Sequence, residues 1–149
     1  SRSKTEAELS LFGRDQELAA LWDAFRKVQA GECAAVHVFG ESGSGWIPYA
    51  LDRMDFEWED RFTDLGLKMK PSDYWRRQCK ATFQFDRIGA KLIDEMGAES
   101  LMWGSDYPHG DGVWPHSDKY IKEQFADVPA EQVKMITCTN AGKFYGLIN

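Results

Sequence analysis

From Arg14 onward the apolar positions recur at spacings of three and four. Leu18, Leu21, Trp22, Phe25 and Val28 share one helical face, and Gly31 stands where a helix commonly stops, which predicts a helix over about 14 to 30. Ala34-Ala35-Val36-His37-Val38-Phe39 is a short apolar run rich in β-branched residues, and it reads as a buried strand entering the turn that begins at Gly40. Pro48 suits the first turn of a second helix, which Tyr49, Leu51, Met54, Phe56 and Trp58 carry to about residue 61. Residues 62 to 70 lack a period and read as a loop. One or two helical turns over Pro71–Gln78 then precede an alternating strand at Cys79–Phe85.

A helix over about 86 to 96 follows, built on Ile88, Leu92, Ile93 and Met96, with Gly97 as its stop. Ser100–Trp103 is a second short buried strand, ending at Gly104-Ser105-Asp106. A loop rich in Gly, Pro and Asp runs to Pro115, with helices expected over about 116 to 126 and 130 to 138 and a final turn near Gly142 to Leu147. The order is a helix followed by three strand-helix units. That alternation predicts an α/β fold in which a parallel sheet of three or four strands is flanked by helices. Residues 1 to 10 are polar and aperiodic and read as a mobile N-terminal arm.

The 149 residues suit one domain, and 43% hydrophobic content with 13% aromatics is ample for a core. A net charge of −6 argues against nucleic acid and anionic membranes as partners, since both demand clustered Lys and Arg. Cys33, Cys79 and Cys138 are odd in number and widely spaced, so they suggest free thiols in a reducing cytosol rather than a disulfide or metal motif. With no stretch of roughly 20 apolar residues and no apolar leader after Ser1, a cytoplasmic protein is expected. Residue 1 is not methionine, so a processed or truncated chain is among the expectations.

Two features carry candidate chemistry. Gly40 and Gly45 have the spacing of a phosphate-binding loop, but the next two positions, Trp46 and Ile47, supply neither the cation nor the hydroxyl that nucleotide chemistry needs. Leu11–Leu18 with Val36–Gly45 resembles the opening of the AAA-type ATPase module of bacterial signalling regulators, up to but not including its catalytic Lys. The second feature is Asp106, directly after a buried strand. From the residues alone it either caps the Asp-Tyr-Pro turn or presents a carboxylate able to bind a divalent ion or take a proton from water.

From Glu41 the chain resembles the amidohydrolase-related family, the branch that includes aminocarboxymuconate semialdehyde decarboxylase. The resemblance is carried by Glu41–Tyr49 with Leu51-Asp52-Arg53-Met54, by Met102–His109 with Trp114-Pro115, and by Asn140–Leu147. It implies the C-terminal part of a TIM-type barrel over residues 41 to 149, joined to a helix, strand and glycine loop over 11 to 45. It also implies a metal-dependent hydrolase or decarboxylase of a small carboxylic or amide substrate, with Asp106 as metal ligand or general base. His109, Trp46, Glu41 and Ser42 are the substrate-contact candidates, Trp103 and Trp114 further candidate pocket walls, and zinc or manganese the implied cofactor.

The family's His-x-His pair is not present, because the three histidines are His37, His109 and His116. A fragment of a longer enzyme is therefore expected, and three strand-helix units would leave sheet edges that a homo-oligomer could pair. Two other readings stand beside the enzyme: a catalytically inactive truncated or recombined chain serving at most as an interaction module, and a nucleotide-binding module on the 40 to 45 loop.

Overall fold

The structure is a computed structural model, and it describes residues 15–32, 43–60 and 66–149. The arm at 1–10, the strand expected at 34–39, and Glu41 and Ser42 lie outside the described residues. The chain falls into two units, residues 1–40 and 41–149.

In the first unit the expected helix is present as α1 (Asp15–Gln29). Asp23 accepts from Lys27 at 2.8 Å, an i,i+4 pair on the exposed face. Gly31 takes φ 84°, and the Glu32 N–H reaches back to the Lys27 carbonyl at 2.9 Å, the two marks of a glycine-ended helix. Leu21 and Trp22, assigned by the pattern to the apolar face, are exposed.

The second unit opens with α2 (Ile47–Asp60) and α3 (Pro71–Gln78), followed by β1 (Ala81–Phe83). Next come α4 (Arg87–Lys91), α5 (Ile93–Met96), a 3₁₀ turn at Ala98–Ser100 and β2 (Leu101–Trp103). The strands pair in parallel with Ala81 opposite Leu101, Thr82 opposite Met102 and Phe83 opposite Trp103. Helix α6 (Ser117–Gln124) follows, then α7 (Ala130–Lys134), a π-helical turn (Met135–Thr139) and α8 (Asn140–Phe144).

Helices α2, α4 and α5, both strands and the π turn share one core of Ile47, Leu51, Phe83, Ala90, Ile93, Met96, Leu101 and Ile136, with Phe125 edge-on to Phe83 at 6.1 Å. Met96, Leu101 and Ile136 have no exposed surface, and burying each such side chain is worth about 1.5–3 kcal/mol. Polar ties fix the frame around this core. The Trp75 indole donates to the Met96 carbonyl at 2.7 Å, and the Asn140 amide donates to the carbonyls of Ala98 and Leu101 at 2.7 and 2.8 Å.

Three expectations are corrected. The strand of 79–85 is only 81–83, because the chain turns after Phe83 so that Asp86 can cap α4. The single helix of 86–96 is broken at Leu92, whose N–H is shared between the Gly89 and Ile88 carbonyls and whose φ, ψ of −108°, 19° leave the helical range. The helix of 130–138 runs on through the π turn into α8: the Asn140 N–H bonds the Met135 carbonyl, and Ile136 and Asn140, four residues apart, are both buried. The final turn expected near Gly142 to Leu147 is present: α8 ends at Gly146, φ 67°, with the Leu147 N–H on the Gly142 carbonyl and the Ile148 side chain packed over Gly142. Of the three or four strands expected, two are among the described residues.

Candidate active site at the end of the second strand

The sheet hydrogen bonding continues one step past β2, since the Gly104 N–H donates to the Phe83 carbonyl at 2.9 Å. The chain then leaves as a loop closed on itself by the Val113 N–H on the Ser105 carbonyl at 2.9 Å. Within it the His109 N–H bonds the Asp106 carbonyl and the Gly112 N–H bonds the His109 carbonyl. Gly112 is required by this closure: a Cβ there would lie 2.9–3.0 Å from the carbonyl oxygens of Asp106, His109 and Ser105.

Asp106 sits at φ 58°, the one non-glycine residue with positive φ among those described. This left-handed conformation costs about 1–2 kcal/mol for an ordinary residue and is best tolerated by Asn and Asp. It places the carboxylate over its own turn, where Oδ1 meets His109 Nδ1 at 2.9 Å. An ionised carboxylate only accepts, so His109 carries its proton on Nδ1 and leaves Nε2 as the second functional nitrogen. Asp106 is about one-quarter exposed while His109 is largely exposed. Among the described residues the second Asp106 oxygen receives no hydrogen bond. Tyr107 and Trp114, both exposed, meet edge-on at 6.0 Å beside this pair.

The other candidates fare differently. Trp46 is exposed, and its indole N–H folds back onto the Gly43 carbonyl at 3.0 Å instead of joining Asp106 and His109. Glu41 and Ser42 lie outside the described residues. Trp103 closes β2 half-buried against the core, with its indole N–H buried and unmet.

Asp86 is the functional-looking residue that sequence reasoning missed. Three residues past Phe83, as Asp106 is three past Trp103, it ends the neighbouring strand of the sheet. Its Oδ2 accepts the N–H groups of Ser44 and Gly45 at 2.6 and 2.7 Å, and its Oδ1 accepts that of Gly89 at 2.7 Å. Partial burial pushes this carboxyl up, but the backbone donors Gly89, Ser44, Gly45 and Ile88 outweigh it and hold it below the ordinary carboxylate value. The glycine-rich turn does gather N–H groups around an anion, and in residues 43–45 that anion is the chain's own Asp86.

Asp106 and His109 are the two donors gathered at the end of β2. Among the described residues no three His, Cys, Asp or Glu side chains stand close enough to hold a metal, whereas a mononuclear site takes at least three protein ligands. The described residues alone therefore do not fit a resident metal ion. No described helix is long and apolar enough to cross a membrane.

Comparison with curated proteins gives no match. The family model described as Amidohydrolase matches residues 38–147, a span that includes β1, β2, the Asp106 loop and the closing helices. With well over half of its length matched in this way, the chain belongs to the amidohydrolase family.

Proposed function

We propose that Asp106 and His109 form the proton-handling pair of a hydrolase or decarboxylase acting on a small carboxylic or amide substrate. One observation carries the reading. A carboxylate at the C-terminal end of a parallel strand is held in a left-handed backbone, with one oxygen on His109 and the other without a hydrogen bond among the described residues. In (β/α)₈ barrels, the architecture this reading assigns to the whole enzyme, that end of the strands is where the reacting groups gather. In amide hydrolysis the open Asp106 oxygen takes a proton from water as the water oxygen bonds the acyl carbon, and the proton passes to the departing amine as the C–N bond breaks. His109 Nδ1–H fixes the orientation of the carboxylate and disperses its charge.

Members of the family generally use divalent metals, and zinc or manganese is the ion we assign to this reading. A complete metal site would need a third ligand from beyond the described residues, so the proton steps rest on Asp106 and His109 alone. The reading further takes the chain to be cytoplasmic and homo-oligomeric, with a small molecule rather than nucleic acid or membrane as its partner, in keeping with its net charge of −6.

The test is turnover of a panel of N-acyl amides and carboxylic acids by the purified chain supplied with zinc or manganese, with metal content measured in parallel. Asp106→Asn should lower kcat/KM by about 100-fold or more and His109→Gln by about tenfold. No turnover with either ion would overturn the proposal in favour of a catalytically inactive interaction module.

A further inference from the structure

Residues of α4, α5, α6 and α7 line a cavity of about 360 Å³, within the range usual for small-molecule sites. Two side-chain amides fix its frame. Gln124 of α6, itself buried, accepts the Asp86 N–H at 3.1 Å and donates to the Gln84 carbonyl at 2.9 Å, which ties α6 to the turn that begins α4. Gln132 of α7 donates to Asp94 of α5 at 3.1 Å. Ala90, Ile93, Val128 and Pro129 supply apolar surface, and every other lining residue is polar or charged.

Those bonds engage Asp94, Gln124 and Gln132 and leave four charged side chains in the lining. Arg87 and Lys91 stand one turn apart on α4, while Glu123 is in the last turn of α6 and Asp127 just past its end. Among the described residues none of these four side chains makes an ion pair or a hydrogen bond. Two cations on one element and two carboxylates on another thus border the same cavity without meeting. Like charges one turn apart on a helix repel each other, and a counter-charge set between them turns that repulsion into charge-assisted contacts.

We infer that this cavity binds a small zwitterion, with its anionic group on Arg87 and Lys91, its ammonium on Glu123 and Asp127, and a short hydrocarbon body against Ile93 and Val128. A ligand of one sign would satisfy one pair and be repelled by the other, so the lining selects for both charges in one molecule. No lining residue belongs to the loop that carries Asp106, and the inference does not depend on the reading given for that residue.

The experiment compares 4-aminobutanoate, 6-aminohexanoate and 8-aminooctanoate with hexanoate and hexylamine, which carry one charge each. Binding to the full chain is followed by two-dimensional NMR of the backbone amides and the Gln132 side-chain amide. At least one zwitterion should shift the Val128 and Gln132 resonances and bind about three- to tenfold more tightly than either single-charge ligand at low salt, an advantage that shrinks at about 1 M sodium chloride. Replacing Arg87 and Lys91 together with Gln should bring the zwitterion down to the affinity of hexylamine. Replacing Glu123 with Gln and Asp127 with Asn together should bring it down to that of hexanoate. All four side chains are exposed, thermal melts establish that each variant is folded, and the single changes Lys91→Gln and Glu123→Gln repeat the test at smaller amplitude. No binding of any of the three zwitterions to the wild-type chain would overturn the inference. So would a single-charge ligand that binds as tightly as the best zwitterion, or a zwitterion advantage that survives both double replacements.

Discussion

Replacing Asp86 with Asn separates two roles that the fold gives one side chain. As the N-cap of α4, Asp86 needs only an oxygen for the Gly89 N–H, and Asn caps helices about as well as Asp, so capping alone predicts almost no loss. The structure predicts more, because both carboxylate oxygens accept: Oδ1 from Gly89, Oδ2 from Ser44 and Gly45. Asn has one oxygen. Turned toward Ser44 and Gly45, it sets its NH₂ against the Gly89 donor; turned the other way, it sets NH₂ against two donors. The milder choice loses one bond of about 1 kcal/mol and weakens two charge-assisted bonds by about 0.5 kcal/mol each, for a total near 2 kcal/mol.

Urea unfolding followed by tryptophan fluorescence measures the difference. Its pH dependence has a definite sign. The folded carboxyl lies below the ordinary value of 3.8, so its contribution is complete above that value and is lost as pH falls through the folded value. The gap between wild type and Asp86→Asn should therefore be constant from about pH 7 to 5 and close below about pH 4. A gap under about 0.5 kcal/mol near neutral pH, or one that persists unchanged in acid, would refute the carboxylate clip.

Two further substitutions probe the frame of the candidate site. Gly112→Ala forces a methyl group against three backbone carbonyl oxygens and should destabilise the chain by about 1–3 kcal/mol, read as a lowered Tm together with lost turnover as the Asp106 turn shifts. Asn140→Ala strands the buried carbonyls of Ala98 and Leu101 and should cost about 2–4 kcal/mol, with faster hydrogen exchange along β2 as the local readout.

What the sequence discloses follows the range of the forces involved. The glycine stops at Gly31 and Gly97, the start of α2 around Pro48 and the strand leading into Asp106 were readable because each depends on residues a turn or less apart. The contact of Asp106 with His109 is just as local, spanning three residues, yet the sequence offered His109 as a substrate contact and not as the partner of Asp106. The Asp86 clip is not local. Its signals are an Asp with a Gly three positions on, common before helices, and a glycine turn more than 40 residues earlier, and no local rule joins them. The break at Leu92 and the π turn at Met135–Thr139 were also hidden, since the apolar spacing of both segments is compatible with one regular helix and the departure is set by packing. The exposure of Leu21 and Trp22 has a simpler lesson: period reveals a face but not what lies against it.

The clip also bears on how this sequence can change. A Cβ at Gly89 would fall 2.2 Å from Ser44 Oγ and 2.7 Å from Asp86 Oδ2, and one at Gly45 would press on Ile88 at 3.1 Å. Ser44, Gly45, Asp86 and Gly89 are thus mutually constrained, two of them by what they supply and two by what they lack. A substitution at any one alters what is acceptable at the others, so their effects will not add. Drift at these four positions is confined to concerted replacements, and two segments distant in sequence evolve there as a single character.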